Sequence, residues 1–253
     1  MPDEFNGTTA LVTGGGTGIG RASAIALAAA GCTVTVAGRT PATLEETVHL
    51  IDRAGGTARA VECDVTDEDS VAHAVRTAVG ETGRLDFGVN SAGISGGDDL
   101  RTTADYPTGT FDRMIATDLR GTFLSMKYQL RRMRAQGFGS VVNIASGAGV
   151  VGVAGFAGYT AAKHGVIGLT RTAALDHAAD GIRVNAVVAG LVSTPLIAEG
   201  RSPEVMAARV AAHPLGRIAE PEEMADAVMW LCSRRSSFVT GAALPVDGGY
   251  TAR

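Results

Sequence analysis

Along this chain, runs of β-forming residues alternate with longer stretches of helical periodicity from one end to the other. The β-rich runs are Thr9 to Thr13, Thr33 to Ala37, Ala58 to Cys63, Phe87 to Asn90, Ser140 to Ala145, Arg183 to Val188 and Ala243 to Val246. Seven strands separated by helical crossovers predict an α/β fold, a doubly wound parallel sheet of about seven strands with helices on both faces. No linker rich in Pro, Ser or charge breaks the periodicity and no repeat of fixed period is present, so residues 1–253 read as a single domain. In such sheets ligands bind outside the carboxyl ends of the strands, so the residues that follow each run are where chemistry is to be sought.

The first run leads into Thr13-Gly14-Gly15-Gly16-Thr17-Gly18-Ile19-Gly20 and then an alanine-rich segment, Arg21 to Ala30, the order strand, tight turn, helix. Glycines at 14, 18 and 20 remove the Cβ atoms that would hold a backbone away from a phosphate. The helix that follows aims its unpaired N–H groups and positive dipole end at whatever sits there. A dinucleotide pyrophosphate fits. The G-x-x-x-G-x-G spacing, with no Gly-Lys-Ser/Thr after it, argues against a nucleoside-triphosphate loop.

After the second strand stands Gly38-Arg39-Thr40, with no carboxylate to chelate an adenosine ribose and a guanidinium suited to a 2′-phosphate, so NADP(H) is favoured and NAD(H) stays open. After the third come Asp64, positioned to accept a hydrogen bond from an adenine amino group, and Val65; Thr66 with Asp69 reads as a helix-capping pair. After the fourth, Asn90-Ser91-Ala92-Gly93 again offers small residues that let a backbone approach a ligand. Asp118 lies in a long helical segment ending near Arg131, Arg132 and Arg134, cations that suit a helix C-terminus.

The fifth strand ends in Asn143-Ile144-Ala145-Ser146, which puts the Ser146 hydroxyl at the ligand face, and thirteen residues later Tyr159 opens a helix with Lys163 one turn on. Residues four apart share a helical face. The chain has only two lysines among its 22 basic residues, so Lys163 reads as a site that wants a compact ammonium. An ammonium beside a phenol favours the phenolate, and so makes the phenol a usable proton donor and acceptor near neutrality.

Composition narrows the class. A formal charge of −4 with scattered arginines argues against a nucleic-acid partner. The longest weakly polar stretch, Ala145 to Ala162, is glycine-rich and interrupted by Ser146, Tyr159 and Thr160, so no membrane span is expected, and the acidic N-terminus is unlike a signal peptide. Cys32, Cys63 and Cys232 lie far apart and read as reduced, buried residues of a cytoplasmic protein. The five histidines show no ligand spacing, so no metal site is expected.

Over essentially its whole length the chain resembles a compact short-chain dehydrogenase/reductase with a Rossmann-like sheet. The resemblance is carried by Thr13 to Gly20, Asp64-Val65, Asn90 to Gly93, Ser146, Tyr159-x-x-x-Lys163, Ala189 to Pro195, and a tail from Phe238-Val239-Thr240-Gly241 to Val246-Asp247-Gly248-Gly249. It implies a hydride transfer between nicotinamide C4 and a ketone or secondary alcohol. Tyr159 would exchange the proton with the substrate oxygen, Ser146 would hydrogen-bond that oxygen, and Lys163 would bind the nicotinamide ribose. Gly14, Thr17, Gly18, Ile19 and Gly20 would form the pyrophosphate turn, Val192 and Thr194 would hold the carboxamide, and Asn90, Ala92 and Gly93 would line the adenosine side. A homotetramer or homodimer is expected, with contacts from the apolar helix around Val166 to Ala179 and the tail.

Two departures from the family stand out. Asp118 replaces the asparagine that completes its proton-relay set; it keeps an acceptor and loses an amide donor, so an altered but working relay is expected. Ala189 replaces the usual proline before Gly190, and the substrate segment from Leu191 to Leu215 is expected to be mobile. That segment supplies Leu191, Leu196, Ile197, Val205, Met206 and Val210 with Glu199, Arg201, Glu204 and Arg209, an apolar or mixed pocket. Rival readings are a cofactor sensor without turnover, a 3-oxoacyl thioester reductase, and a sugar-nucleotide epimerase or dehydratase, the last disfavoured by the few residues after Val246.

Overall fold

In the computed structural model, which describes residues 4–95, 100–198 and 202–252, Leu11 and Val12 are neighbours in the first strand and enter different hydrophobic layers. Alternate side chains of a strand point to opposite faces, so a strand apolar at every position must be covered on both sides. The chain meets this need with β1 (Thr9–Thr13), α1 (Gly18–Ala29), β2 (Thr33–Gly38), α2 (Pro41–Arg53), β3 (Thr57–Glu62), α3 (Glu68–Val79), β4 (Phe87–Asn90), α4 (Thr108–Met114), α5 (Gly121–Gln136), β5 (Gly139–Ser146), α6 (Ala157–His177), β6 (Ile182–Ala189), α7 (Pro195–Ala198), α8 (Pro203–Ala211), α9 (Pro221–Cys232) and β7 (Ala243–Val246).

The seven strands form one sheet in the order β3-β2-β1-β4-β5-β6-β7, and every neighbouring pair is parallel. The order reverses between β1 and β4, which opens a crevice at their carboxyl ends. Val12, Val36 and Val142 face one layer with Leu27 of α1, Leu44 of α2 and Leu231 of α9. Leu11, Val61 and Val141 face the other with Val75 of α3, Leu124 and Met133 of α5 and Ala173 of α6. Each such leucine, taken fully out of water, contributes about 2 kcal/mol.

The expected strands are all present, with shifted ends. Strands β5 and β6 extend to Ser146 and Ala189 because these two residues pair with one another, as Gly139 and Ile182 do at the other end. At the edge of the sheet, β3 starts at Thr57, opposite Thr33, rather than at Ala58. The capping pair is not Thr66 with Asp69: the Asp67 carboxylate accepts the Asp69 N–H at the start of α3, while Thr66 gives both its N–H and hydroxyl to Asp64. The long helical segment around Asp118 is not uniformly α-helical. Ile115–Arg120 widens into a π-turn between α4 and α5, a bulge of the kind found at functional positions. Helix α5 stops at Gly137, whose φ of 82° only glycine adopts freely.

Beneath the carboxyl ends of β4 and β5 runs a buried chain of amides. Asn90 and Gln129 donate to each other's carbonyl oxygens at 3.1 and 2.9 Å, Asn90 Nδ2 also donates to Asn143 Oδ1 at 2.8 Å, and Asn143 Nδ2 donates to Thr170 Oγ1 at 2.9 Å. The chain ties α5 and α6 to the sheet. Replacement Gln129→Ala leaves Asn90 Oδ1 buried without its partner, and should lower unfolding free energy by about 2–3 kcal/mol. Urea titration of the two proteins measures the difference; a loss below about 0.5 kcal/mol would show that the network adds nothing.

Candidate active site

Helix α1 begins at Gly18, earlier than its alanine-rich stretch suggests, so Gly18, Ile19 and Gly20 form its first turn. Gly14 has a φ of 67°, and a Cβ there would meet the Ala92 nitrogen at 2.7 Å; a Cβ on Gly20 would collide with the Gly14 carbonyl. The glycines therefore let the turn fold onto itself and onto the Ala92 backbone. A groove of 380 Å³ opens beside it, lined by Gly14, Thr17, Gly18, Ile19, Ala92, Gly93, Val192 and Thr194 together with Asp118, Ser146, Tyr159 and Lys163. A second hollow of 200 Å³ shares Arg39, Ala92 and Gly93 with that groove and adds Asp64 and Val65.

The Asp64 carboxyl is held below its ordinary range by the Thr66 N–H at 2.9 Å and hydroxyl at 2.8 Å, with Arg39 adding a smaller electrostatic contribution. It is therefore an ionised acceptor beside the exposed Arg39. Two residues expected in the cofactor site sit behind it. Asn90 spends its side chain on the buried amides, so it braces the Ser91 to Gly93 backbone, and Gly20 packs against the turn rather than lining the groove.

Ser146 closes β5, and its Oγ accepts the Ala148 N–H at 3.3 Å. Tyr159 is the third residue of α6. What brings them together is Gly149 in the short turn after Ser146: a Cβ there would meet the Lys163 carbonyl at 2.8 Å, so only glycine lets α6 lie so close to the end of β5. Lys163 is buried, with Nζ donating to the Ile144 carbonyl at 3.1 Å and standing 5.5 Å from the Tyr159 ring centroid.

Asp118 completes the cluster from the π-turn. Its Oδ1 accepts the Ile94 N–H at 3.1 Å and lies 3.6 Å from Lys163 Nζ, while its buried Oδ2 has no hydrogen-bond partner among the described residues. Burial pushes this carboxyl above its ordinary range, and the Lys163 ammonium works in the opposite direction. Burial also opposes the charge on Lys163, but Tyr159 and Asp118 outweigh it and hold the ammonium above its usual range. The Asp118 backbone carbonyl, to which the family resemblance would assign a relay water, already accepts the Thr122 hydroxyl at 2.7 Å.

On the far side of Ser146 and Tyr159 lies a mainly apolar cavity of 530 Å³, walled by Val153, Phe156, Leu191, Leu196, Ile197 and Val205. Met206 and Val210 do not line it, and Glu199 and Arg201 lie outside the described residues. The segment that covers it is built of α7 and α8.

Sequence reasoning missed the residue that fastens this cover. His213 Nε2 accepts the Leu191 N–H at 3.0 Å, Nδ1 meets the Arg209 carbonyl at 2.7 Å, and the ring stacks on Tyr250 with 4.9 Å between centroids. A carbonyl only accepts, so Nδ1 carries the proton. A lone histidine without a patterned partner gives no local signal of such a role. Among the described residues no group of His, Cys, Asp and Glu could hold a metal ion, and no helix is long and apolar enough to cross a membrane.

Known proteins share this architecture. A family model described as enoyl-(acyl carrier protein) reductase matches residues 14–251. The chain is 44% identical over 252 residues to cis-4-hydroxycyclohexanecarboxylate dehydrogenase of Sinomonas cyclohexanicum, with 100% of both chains covered. It is 40% identical over 253 residues to cyclohexanol dehydrogenase of Acinetobacter sp. strain SE19, covering 100% of this chain and 98% of that one. The crystal structure of levodione reductase superposes with a TM-score of 0.94 at 34% identity, over 98% of this chain and 99% of its own. Matches this complete, in sequence and in structure, show that the chain belongs to the short-chain dehydrogenase/reductase family.

Proposed function

We propose that the protein is an NADP(H)-preferring oxidoreductase that interconverts a secondary alcohol on a six-membered alicyclic ring and the corresponding ketone. One observation carries the reading: Ser146 and Tyr159 line both the groove beside the glycine turn and the apolar cavity. A hydride donor in the first and a carbonyl in the second would meet at these two hydroxyls. The apolar wall suits a hydrocarbon ring, and two relatives carry names for ring alcohols, cyclohexanol and cis-4-hydroxycyclohexanecarboxylate. A cofactor sensor would need neither the hydroxyls nor Lys163, and the relatives' names give that reading no support.

A dinucleotide suits the residues present, since a Cβ at Gly14 or Gly18 would press on Ala92 or Thr194 and fill the cradle. The turn from Gly14 to Gly20 would take the pyrophosphate, Asp64 and Val65 the adenine, Lys163 the ribose hydroxyls, and Val192 with Thr194 the carboxamide. When bound, the nicotinamide supplies or accepts the hydride at C4. Tyr159 Oη then gives a proton to the substrate oxygen in reduction and takes it in oxidation, while the Ser146 hydroxyl holds that oxygen in place. Lys163 keeps positive charge beside the phenol. Arg39 favours NADP(H) by offering a charge-assisted contact to a 2′-phosphate.

Asp118 sets this site apart. In the alkaline range where alcohol oxidation is favoured, an ionised carboxylate 3.6 Å from Lys163 offsets part of the ammonium's field at Tyr159.

Further features fit a cytoplasmic enzyme that self-associates as a homotetramer or homodimer. The three free cysteines are buried, as suits a reducing compartment, and Leu175 on α6 and Phe238 near the tail are 83% and 103% exposed.

Assays of NADPH and NADH oxidation with cyclohexanone and related ketones test the reading. Replacement Tyr159→Phe should lower kcat about a thousandfold, and near-normal turnover without the hydroxyl would overturn its proton-transfer role. Arg39→Ala should cut the NADPH/NADH ratio of kcat/KM about tenfold; an unchanged ratio removes the 2′-phosphate assignment. Asp118→Asn, which removes a carboxylate 3.6 Å from Lys163 Nζ, should change the rate of alcohol oxidation or its pH profile, whereas an identical rate and profile would show that the carboxylate has no influence.

A further inference from the structure

The hydrogen-bond donors around the Asp118 carboxyl are divided unevenly between its two oxygens. The Ile94 N–H reaches Oδ1 at 3.1 Å and the Lys163 ammonium faces the same oxygen at 3.6 Å, whereas the buried Oδ2 has no hydrogen-bond partner among the described residues. The side chain is 0% exposed, yet the residue lines the groove beside the glycine turn. A carboxylate kept only to neutralise a buried ammonium is best served by donors on both oxygens, because a buried anionic oxygen left bare is costly. Donors on one oxygen alone suit a second state of the group as well, with Oδ1 the carbonyl oxygen and Oδ2 the hydroxyl.

The surroundings bring that second state within reach. Burial strengthens the carboxyl's hold on a proton, and the Lys163 ammonium opposes it. Lys163 of α6 is the charged group that faces the carboxyl, Tyr159 stands one turn earlier on the same helix, and the loop after β4 presents the Ile94 N–H. A Cβ on Gly93 would collide with Asp118 Oδ1 and stand 3.6 Å from Lys163 Nζ, so glycine at that position makes room for the pair.

We propose that Asp118 is the proton store of this enzyme, taking up the proton released when the alcohol is oxidised and returning it when the ketone is reduced. The inference rests on the alcohol–ketone reading above and deepens it. In oxidation the electron pair of the C–H bond leaves with the hydride, and the O–H proton passes to the Tyr159 phenolate. Tyr159 then gives a proton to Lys163 as Lys163 gives one to Asp118. The ammonium is unchanged, the phenolate is restored, and the carboxyl has become neutral. Reduction runs the same transfers backward. The step from Lys163 to Asp118 spans 3.6 Å, about half an ångström beyond an ordinary hydrogen bond, a gap that a flexible ammonium with three rotatable donors can close. Asparagine at 118 could not take this part, because an amide has no carboxylate to protonate.

Infrared spectroscopy of the full-length wild type and of Asp118→Asn tests the proposal. In the ligand-free enzyme, the carboxylic C=O band that Asp118→Asn lacks should persist above the ordinary carboxylate range of about pH 4. A band that appears only at or below that range would overturn the proposal, since such a carboxyl could not keep the proton. Single turnovers of cyclohexanol with NADP+ follow, in weak buffer with a pH indicator, at a pH just above the midpoint of that band. In the wild type the band should rise with hydride transfer and decay as the proton reaches the solvent, so that proton release lags the hydride; Asp118→Asn should lose both band and lag. Simultaneous hydride transfer and proton release in the wild type, or a lag that survives in Asp118→Asn, would overturn the storage role. The wild-type lag needs no variant, so its absence decides the matter even if substitution disturbs folding. If cyclohexanol is not oxidised at all, the ring-alcohol reading falls, and the titration of the ligand-free enzyme still judges Asp118 by itself.

Discussion

A buried ammonium is expensive, and the candidate active site is arranged around making one tolerable. Lys163 is 6% exposed, and its charge survives there because the Ile144 carbonyl, the Asp118 carboxylate and the Tyr159 ring surround it. Each of those partners comes from a different element: the end of β5, the π-turn before α5, and the preceding turn of α6. Holding the ammonium therefore fixes three elements relative to one another, and the hydroxyls of Ser146 and Tyr159 are carried into place with them.

The same cluster shows how chemistry and packing share residues. Gly149 has no ligand to touch; it matters because the Lys163 carbonyl occupies the space a side chain would need. Asn90 opens the run Asn90-Ser91-Ala92-Gly93, yet its amide is spent within the sheet on Gln129 and Asn143. The backbone of Ser91 to Gly93 is offered to the groove because the side chain just before it is committed elsewhere.

How far the sequence could be read follows from the range of the forces involved. The succession of seven strands along the chain and the pairing of Tyr159 with Lys163 rest on periodicity and on i,i+4 geometry, both local, and both were legible. Strand ends were legible only to a residue or so, since Ser146 and Ala189 extend their strands by pairing with each other across the sheet. Thr66 was misread as half of a helix cap because Asp64 and Asp67 compete for the same local donors, and only the folded turn decides between them. The π-turn at Asp118 and the fastening role of His213 had no local signature. The side chains involved meet partners far along the chain, Lys163 for Asp118 and Leu191 for His213.

Leu196 and Ile197, on the four-residue helix α7, form part of the wall of both the cofactor groove and the apolar cavity. The two chambers thus have a partition in common. Any free energy with which one occupant displaces or steadies that partition reappears, equal in size and sign, in the affinity of the other, because linkage between two sites is reciprocal. Whatever occupies the two chambers, coupling through the Leu196 and Ile197 wall would act in both directions.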